Sequence, residues 1–203
     1  MHRTKDYADG KISLQDIRNL LIKYSEIGDR SQRAWFTTNH DENSWNGTEY
    51  EKYGILAKPL AVFSATWNGV PLLYSGQEMP NQKRLEFFEK DAIAWNGTYE
   101  LADFYKTLLN LKSSNPALRG GDTNVKTAFV DTTANNKVLA YTRKSGRYEV
   151  LVVLNMSKET VDFDLSDAAV LGNMKDAFSD TWRDFKQDRG FSMQPGGYAV
   201  YVK

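Results

Sequence analysis

Cysteine is absent from the 203 residues, which excludes disulfides, thiolate zinc sites and a cysteine nucleophile but leaves the compartment open. An excess of one charge is lacking too: 26 basic residues meet 26 acidic ones, so no basic field points to nucleic acid or an anionic membrane surface. No apolar run approaches the roughly 20 residues that span a bilayer, and residues 1–6 lack the apolar core of a signal peptide. The chain reads as soluble, with its compartment unassigned and an extracytoplasmic location for a longer protein left open. Histidine is scarce, and His2 lies in a charged lead-in where it reads as a solvated bystander. That leaves His40 as the one imidazole in a patterned context. Aromatic residues are plentiful by comparison, with five tryptophans. Their default place is the core, although flat rings also suit sugar faces.

The stretch from Trp35 to Trp45 organises the rest. Its apolar, β-prone opening Trp35-Phe36-Thr37-Thr38 ends in Asn39-His40-Asp41-Glu42, the layout of a buried strand delivering polar groups at its C-terminal tip. In an α/β barrel that tip is where the chemistry sits. A second apolar run, Val70 to Ser75, ends in Gly76-Gln77-Glu78. Between the two, Tyr53, Leu56, Leu60, Phe63 and Trp67 repeat at helical spacing, with Ala57 and Ala61 alongside. The order is β-α-β, which predicts neighbouring parallel strands over 34–39 and 70–75. Pro59 predicts a kink within the helix.

The flanking segments complete the expectation. Residues 1–12 show no periodicity and read as a poorly ordered lead-in. Ser13-x-x-Asp16 opens a helix with Leu14, Ile17, Leu21 and Tyr24 on one face, ended by Gly28. Asn46-Gly47 marks a turn. Residues 79–97 form a loop, and a third helix from near Thr98 carries Leu101, Phe104, Tyr105, Leu108 and Leu111 inward until Asn115-Pro116. Beyond Ala117 the pattern turns to short β-prone runs at 125–130, 138–143, 148–154, 161–165, 174–178 and 199–202, with turn signals between them. These predict an antiparallel β-sandwich. The fold class is therefore α/β plus all-β, divided at residues 1–116 and 117–203.

Phe36-x-x-Asn39-His40-Asp41 resembles the fourth sequence region of the α-amylase family of glycoside hydrolases, and Gly69-x-Pro71-x-x-Tyr74-x-Gly76-x-Glu78 resembles that family's region on the last barrel strand. Val150 to Asn155 and Pro195 to Tyr201 look like phrases of the sandwich that follows the barrel. The resemblance implies the last two β/α units of a (β/α)8 barrel with a preceding helix, then the C-terminal β-sandwich. It implies an α-glucan substrate such as starch or maltooligosaccharides. By the same resemblance Asp41 stabilises the cation-like sugar of the transition state, and His40 donates to a neighbouring hydroxyl. Asn39 either joins those contacts or ties loops together. Trp45 either stacks on a sugar or packs under its own loop, while Tyr74 and Glu78 support the site from below. Arg84 reads as a solvated surface charge.

Retaining hydrolysis needs a carboxylate nucleophile and a carboxylic acid on either side of the scissile bond. Nothing in residues 1–33 resembles the family's Gly-x-Arg-x-Asp nucleophile motif or the segment with the acid Glu. The chain is thus expected to be an inactive C-terminal part of a larger enzyme, whose open barrel edge drives self-association. No cofactor and no metal ligands are expected in these residues, and calcium is left to the intact enzyme. Asp162-x-Asp164 alternates with Val161 and Phe163, which places both acids on the wet face of a strand. Sequons at Asn46, Asn96 and Asn155 read as chance. Two rival readings keep parts of this account: an amylase-like scaffold protein without catalysis, and a carbohydrate-binding β-sandwich module.

Overall fold

The computed structural model describes residues 2–26, 32–166 and 172–203. The helix end expected at Gly28 lies outside the described residues. The chain opens with helix α1 (His2–Ala8) where a disordered lead-in was expected. Tertiary contact explains the difference. The Tyr7 hydroxyl donates to the Met156 carbonyl at 2.7 Å, and α1 lies against α2 (Leu14–Glu26) and α4 (Glu49–Tyr53). Helix α2 starts as Ser13-x-x-Asp16 requires: the Ser13 N–H donates to Asp16 at 2.8 Å and the Asp16 N–H returns to the Ser13 hydroxyl at 3.2 Å. Leu14, Ile17 and Leu21 are buried along its inner face.

Strand β1 (Ala34–Trp35) runs parallel to β2 (Val70–Pro71), pairing Ala34 with Val70 and Trp35 with Pro71. The parallel arrangement is as expected, but both strands are far shorter than the runs 34–39 and 70–75. Each has one neighbour, so the ladder is supported from one side only. Val70 and Leu72 donate to Arg33 and Trp35. Pro71, lying between them, turns its missing donor to the open side, where a proline is tolerated. The run 70–75 has almost no polar alternation, which suits burial on both faces, yet it is bare on that side. Val70 is 47% exposed, and Leu72 and Leu73 are also exposed.

After β1 the chain forms α3 (His40–Asn46), then α4, a 3-10 turn (Gly54–Leu56) and α5 (Ala57–Thr66). The predicted helix that carries the stripe Tyr53 to Trp67 is therefore broken, but not at Pro59. Pro59 falls in the first turn of α5, where no intrahelical donor is needed. The break comes at Gly54, whose φ of 53° no ordinary helix contains. The apolar stripe survives, with Tyr53, Leu56, Leu60, Phe63 and Trp67 all buried. Residues 79–101 carry no helix or strand, and α6 (Ala102–Ser114) follows, ending at Asn115.

The C-terminal half is an antiparallel sandwich. Strands β3 (Lys126–Val130), β4 (Val138–Ser145), β5 (Tyr148–Asn155), β6 (Val161–Asp164), β7 (Asn173–Asp176), β8 (Trp182–Asp184), β9 (Gly190–Met193) and β10 (Tyr198–Val202) appear in that order. Six form one sheet, ordered β3-β4-β5-β10-β7-β8, and β6 pairs with β9. The large sheet is buried on both faces, which explains why Val150 to Leu154 is apolar without alternation. Val150, Val152, Leu154, Leu139, Tyr141 and Val200 join the core built on the helices. Leu151, Val153, Ala140, Ala199 and Tyr201 join a second core against Phe163, Phe185 and Met193.

Helix α5 is the seam. Apart from Lys58 all of its residues are buried, as a helix covered all round must be. The Trp67 ring just beyond it meets Phe63, Phe129 and Tyr141 at centroid distances of 5.4, 5.5 and 4.8 Å. Buried Arg143 donates to the carbonyls of Ala117 and Arg119 at 3.1 and 2.8 Å, tying β4 to the turn after α6. Asn155 is wholly buried and donates to three carbonyls, so a glycan has no room there. Asp162 and Asp164 are exposed on β6.

Candidate functional site

The expected strand tip at Asn39-His40-Asp41 is instead the start of a helix. Asn39 is extended (φ −154°) and caps α3, its Oδ1 accepting from the Glu42 N–H at 2.7 Å. This satisfies one of the donors that every helix N-terminus leaves unpaired. His40 and Asp41 occupy the first turn, with the imidazole Nε2 3.5 Å from the Asp41 carboxylate and both side chains largely exposed. A negative charge in a first turn is favoured by the helix dipole.

The second strand end carries the supporting groups. The Glu78 carboxylate accepts from the Gly76 N–H at 3.0 Å, and Gln77 accepts from the Tyr74 N–H at 2.7 Å, so both fold the turn after β2 on itself. Gly69 lets β2 approach β1: its φ is +136°, and an added Cβ would lie 2.3 Å from the Arg33 carbonyl.

Between the two ends lies a buried polar knot that the motifs did not reveal. The Gln77 amide donates to the Thr37 hydroxyl at 2.9 Å, to Glu49 at 2.8 Å and to the Tyr105 hydroxyl at 3.0 Å, and Thr37 also donates to Glu49. All four side chains are buried. Burial pushes the Glu49 carboxyl above the ordinary carboxylate range, against the opposing effect of those hydrogen bonds. Burial likewise raises the Tyr105 hydroxyl, and the nearby Glu49 charge adds to it. The knot holds the segment after β1, the start of α4, the turn after β2 and α6 in one arrangement. A sequence signal existed. Glu49 lies four residues before Tyr53, on the same helical stripe that runs through Leu56 and Leu60 to Trp67.

Trp45, on the last turn of α3, is 58% exposed and touches Phe87 and Phe88 at centroid distances of 4.9 and 6.0 Å. Asn43 is buried beside it and ties the loop down, donating to the Lys83 carbonyl at 3.2 Å and accepting from the Leu85 N–H at 2.8 Å. Arg84 is paired with Glu51 at 3.0 Å on the surface. Among the described residues no group of three or more His, Cys, Asp or Glu side chains could hold a metal ion. No helix among the described residues is long and apolar enough to cross a membrane.

A parallel β-α-β end with polar groups beyond the strands, fused to an antiparallel sandwich, defines the class: the close of an α/β barrel with its appended domain. Comparison with known proteins shows what this arrangement is similar to. Residues 129–200 match the model of the maltogenic amylase C-terminal domain. Alpha-amylase 2 of Dictyoglomus thermophilum is 25% identical over 164 residues, covering 75% of this chain and 26% of that protein. The cyclomaltodextrin glucanotransferase of Bacillus sp. strain 1011 is 27% identical over 197 residues, covering 89% and 25%. The crystal structure of an α-amylase from Lactobacillus plantarum superposes with a TM-score of 0.77 at 17% identity, covering 100% of this chain and 45% of that one. The chain is thus similar to the C-terminal regions of α-amylases and cyclomaltodextrin glucanotransferases, in sequence and in fold. It spans about a quarter of the length of these curated relatives.

Proposed function

We propose that the chain is the C-terminal part of an enzyme acting on α-linked glucans by retaining glycoside chemistry, with residues 1–116 closing its barrel and 117–203 forming the appended sandwich. The observation that carries the reading is the placement of His40 and Asp41. Both open a helix directly beyond β1, beside a parallel β2 whose following turn is folded by Glu78. An exposed carboxylate can accept two sugar hydroxyls in charge-assisted bonds, and an imidazole 3.5 Å away can donate to a third group. Neither breaks a glycosidic bond without a nucleophile and an acid on opposite sides of it. Asp41 is assigned to stabilising the cation-like sugar and His40 to substrate binding, with Asn39 orienting both through its cap. Tyr74 and Glu78 shape the turn below. The chain alone is therefore inactive.

Leu72, Leu73 and Leu109 are exposed and line one hollow with Pro71, and Val70 is exposed on β2 itself. We read them as the surface through which the isolated chain self-associates, since patches of this kind seldom stay bare in water. Light scattering is expected to show dimers or larger species that dissociate when Val70 or Leu72 is changed to Lys. A clean monomer at high concentration contradicts that reading. The functional reading is tested by incubating maltoheptaose with the chain: binding without hydrolysis is expected, weakened by Asp41→Ala. Turnover by the 203 residues contradicts it.

A further inference from the structure

We propose that Trp45, Phe87 and Phe88 form a preorganised aromatic platform that takes an α-glucan ring adjacent to the one held at His40 and Asp41. The inference rests on the reading above and extends it from Trp45 to Phe87 and Phe88, which no motif marks. The three rings touch one another, with Phe87 and Phe88 at 4.9 Å and nearly perpendicular, yet they remain 58%, 42% and 82% exposed in chain order. Rings that cluster in water without being covered are suited to a flat partner with an apolar face.

Their position ties them to the site. Asp41 and Trp45 are four residues apart on α3, on one face and about 6 Å from each other along the helix. The loop carrying Phe87 and Phe88 is fastened at both ends. Asn43 bonds Lys83 and Leu85 on the near side. On the far side Asp91 pairs with Lys83 and accepts from the Glu86 N–H at 3.1 Å. The platform is thus built before any ligand arrives, which lowers the ordering cost of binding. Its occupant is small. Three partly exposed side chains offer much less than the roughly 800 Å² per partner that a stable protein interface buries. Glu86, Glu89 and Lys90, all exposed around the rings, supply the polar rim that sugar hydroxyls need.

The test is a titration of the full 203-residue chain with maltoheptaose and, separately, cellohexaose, read by saturation-transfer NMR. Trp45→Ala and Phe88→Ala remove exposed rings, and urea midpoints equal to the unaltered chain establish that both fold. Trp182→Ala, at a 68% exposed tryptophan on strand β8, is the control. The expected result is maltoheptaose affinity weakened about tenfold or more in each platform variant and unchanged in Trp182→Ala. Unchanged affinity in Trp45→Ala and Phe88→Ala, with binding lost in Asp41→Ala, overturns the platform and leaves the functional reading standing. A preference for cellohexaose that disappears in the platform variants overturns the α-glucan assignment on which both rest. Absence of binding by either sugar overturns the platform.

Discussion

The hydroxyl of Tyr141 lies 2.6 Å from the hydroxyl of Thr66, a fully buried bond joining β4 of the sandwich to the last turn of α5. Thr66 already donates to the Val62 carbonyl at 2.7 Å, so Tyr141 is the donor of the pair. The two partners are not equivalent. Tyr141→Phe removes a donor and leaves Thr66 its own bond, at an expected cost of about 1 kcal/mol. Thr66→Val strands the Tyr141 donor in the core, at about 2–3 kcal/mol. The double variant is expected to lose less than the sum, because it leaves no stranded group. Urea midpoints of the three variants check this order.

Lys112 donates to the Gly69 carbonyl at 2.8 Å near Arg143, and burial and that neighbouring charge pull its amine down to about 8. The unfolded chain keeps the ordinary value near 10.5. Between those values the unfolded state holds more protons than the folded one, so this group makes stability rise as pH climbs from about 8 toward 10. Lys112→Met is expected to flatten that rise in urea midpoints measured across the interval. Above pH 10 the tyrosines raised by burial, Tyr141 and Tyr105 among them, act in the opposite direction, because they stay protonated only when folded.

Glu49 behaves in the reverse sense to a salt-bridged acid. Its folded value is raised, so the folded state holds the proton more tightly, and stability from this group falls as pH rises through the ordinary carboxyl range and above. Glu49→Gln keeps acceptors for Gln77 and Thr37 and removes the buried charge, so it is expected to be tolerated and to weaken that pH dependence. Glu49→Ala strands the buried Thr37 hydroxyl donor, takes one of the three acceptors from Gln77 and opens a void, at about 2–4 kcal/mol. Equal loss in both variants contradicts the account of the knot.

Gly69→Ala is expected to be severe. The alanine Cβ would meet the Arg33 backbone carbonyl and the buried Trp35 indole, at a φ that L residues rarely adopt. A cost of about 3 kcal/mol or more follows, together with a changed emission from Trp35, whose indole lies at the same contact. A midpoint within error of the unaltered chain contradicts the close approach of β1 and β2.

How far the sequence speaks depends on what each residue answers to. The stripe from Tyr53 to Trp67, the α2 cap and the run Val150 to Leu154 answer to periodicity and burial, and each lies where the spacing places it. The parallel pairing of β1 with β2 was legible for the same reason. The lengths of those strands were not, because a ladder needs neighbours that local pattern does not register. Strands β8 and β9 escaped notice because Trp182-Arg183-Asp184 and Gly190-Phe191-Ser192-Met193 are short and lack a clean apolar alternation. At the site, Asn39, His40 and Asp41 were marked by motif, but their setting on a helix start was not. Glu49 and Gln77 were invisible as a pair, since only the fold brings residues 28 positions apart together.

The central claim is that a glucan-binding site lies at the polar ends of β1 and β2. Amide chemical shifts of the isotopically labelled chain, followed while maltoheptaose is added, test it most directly. The account predicts shifts concentrated at residues 39–45 and 83–88 and lost in Asp41→Ala. Shifts confined to the sandwich strands, or none anywhere, would contradict it.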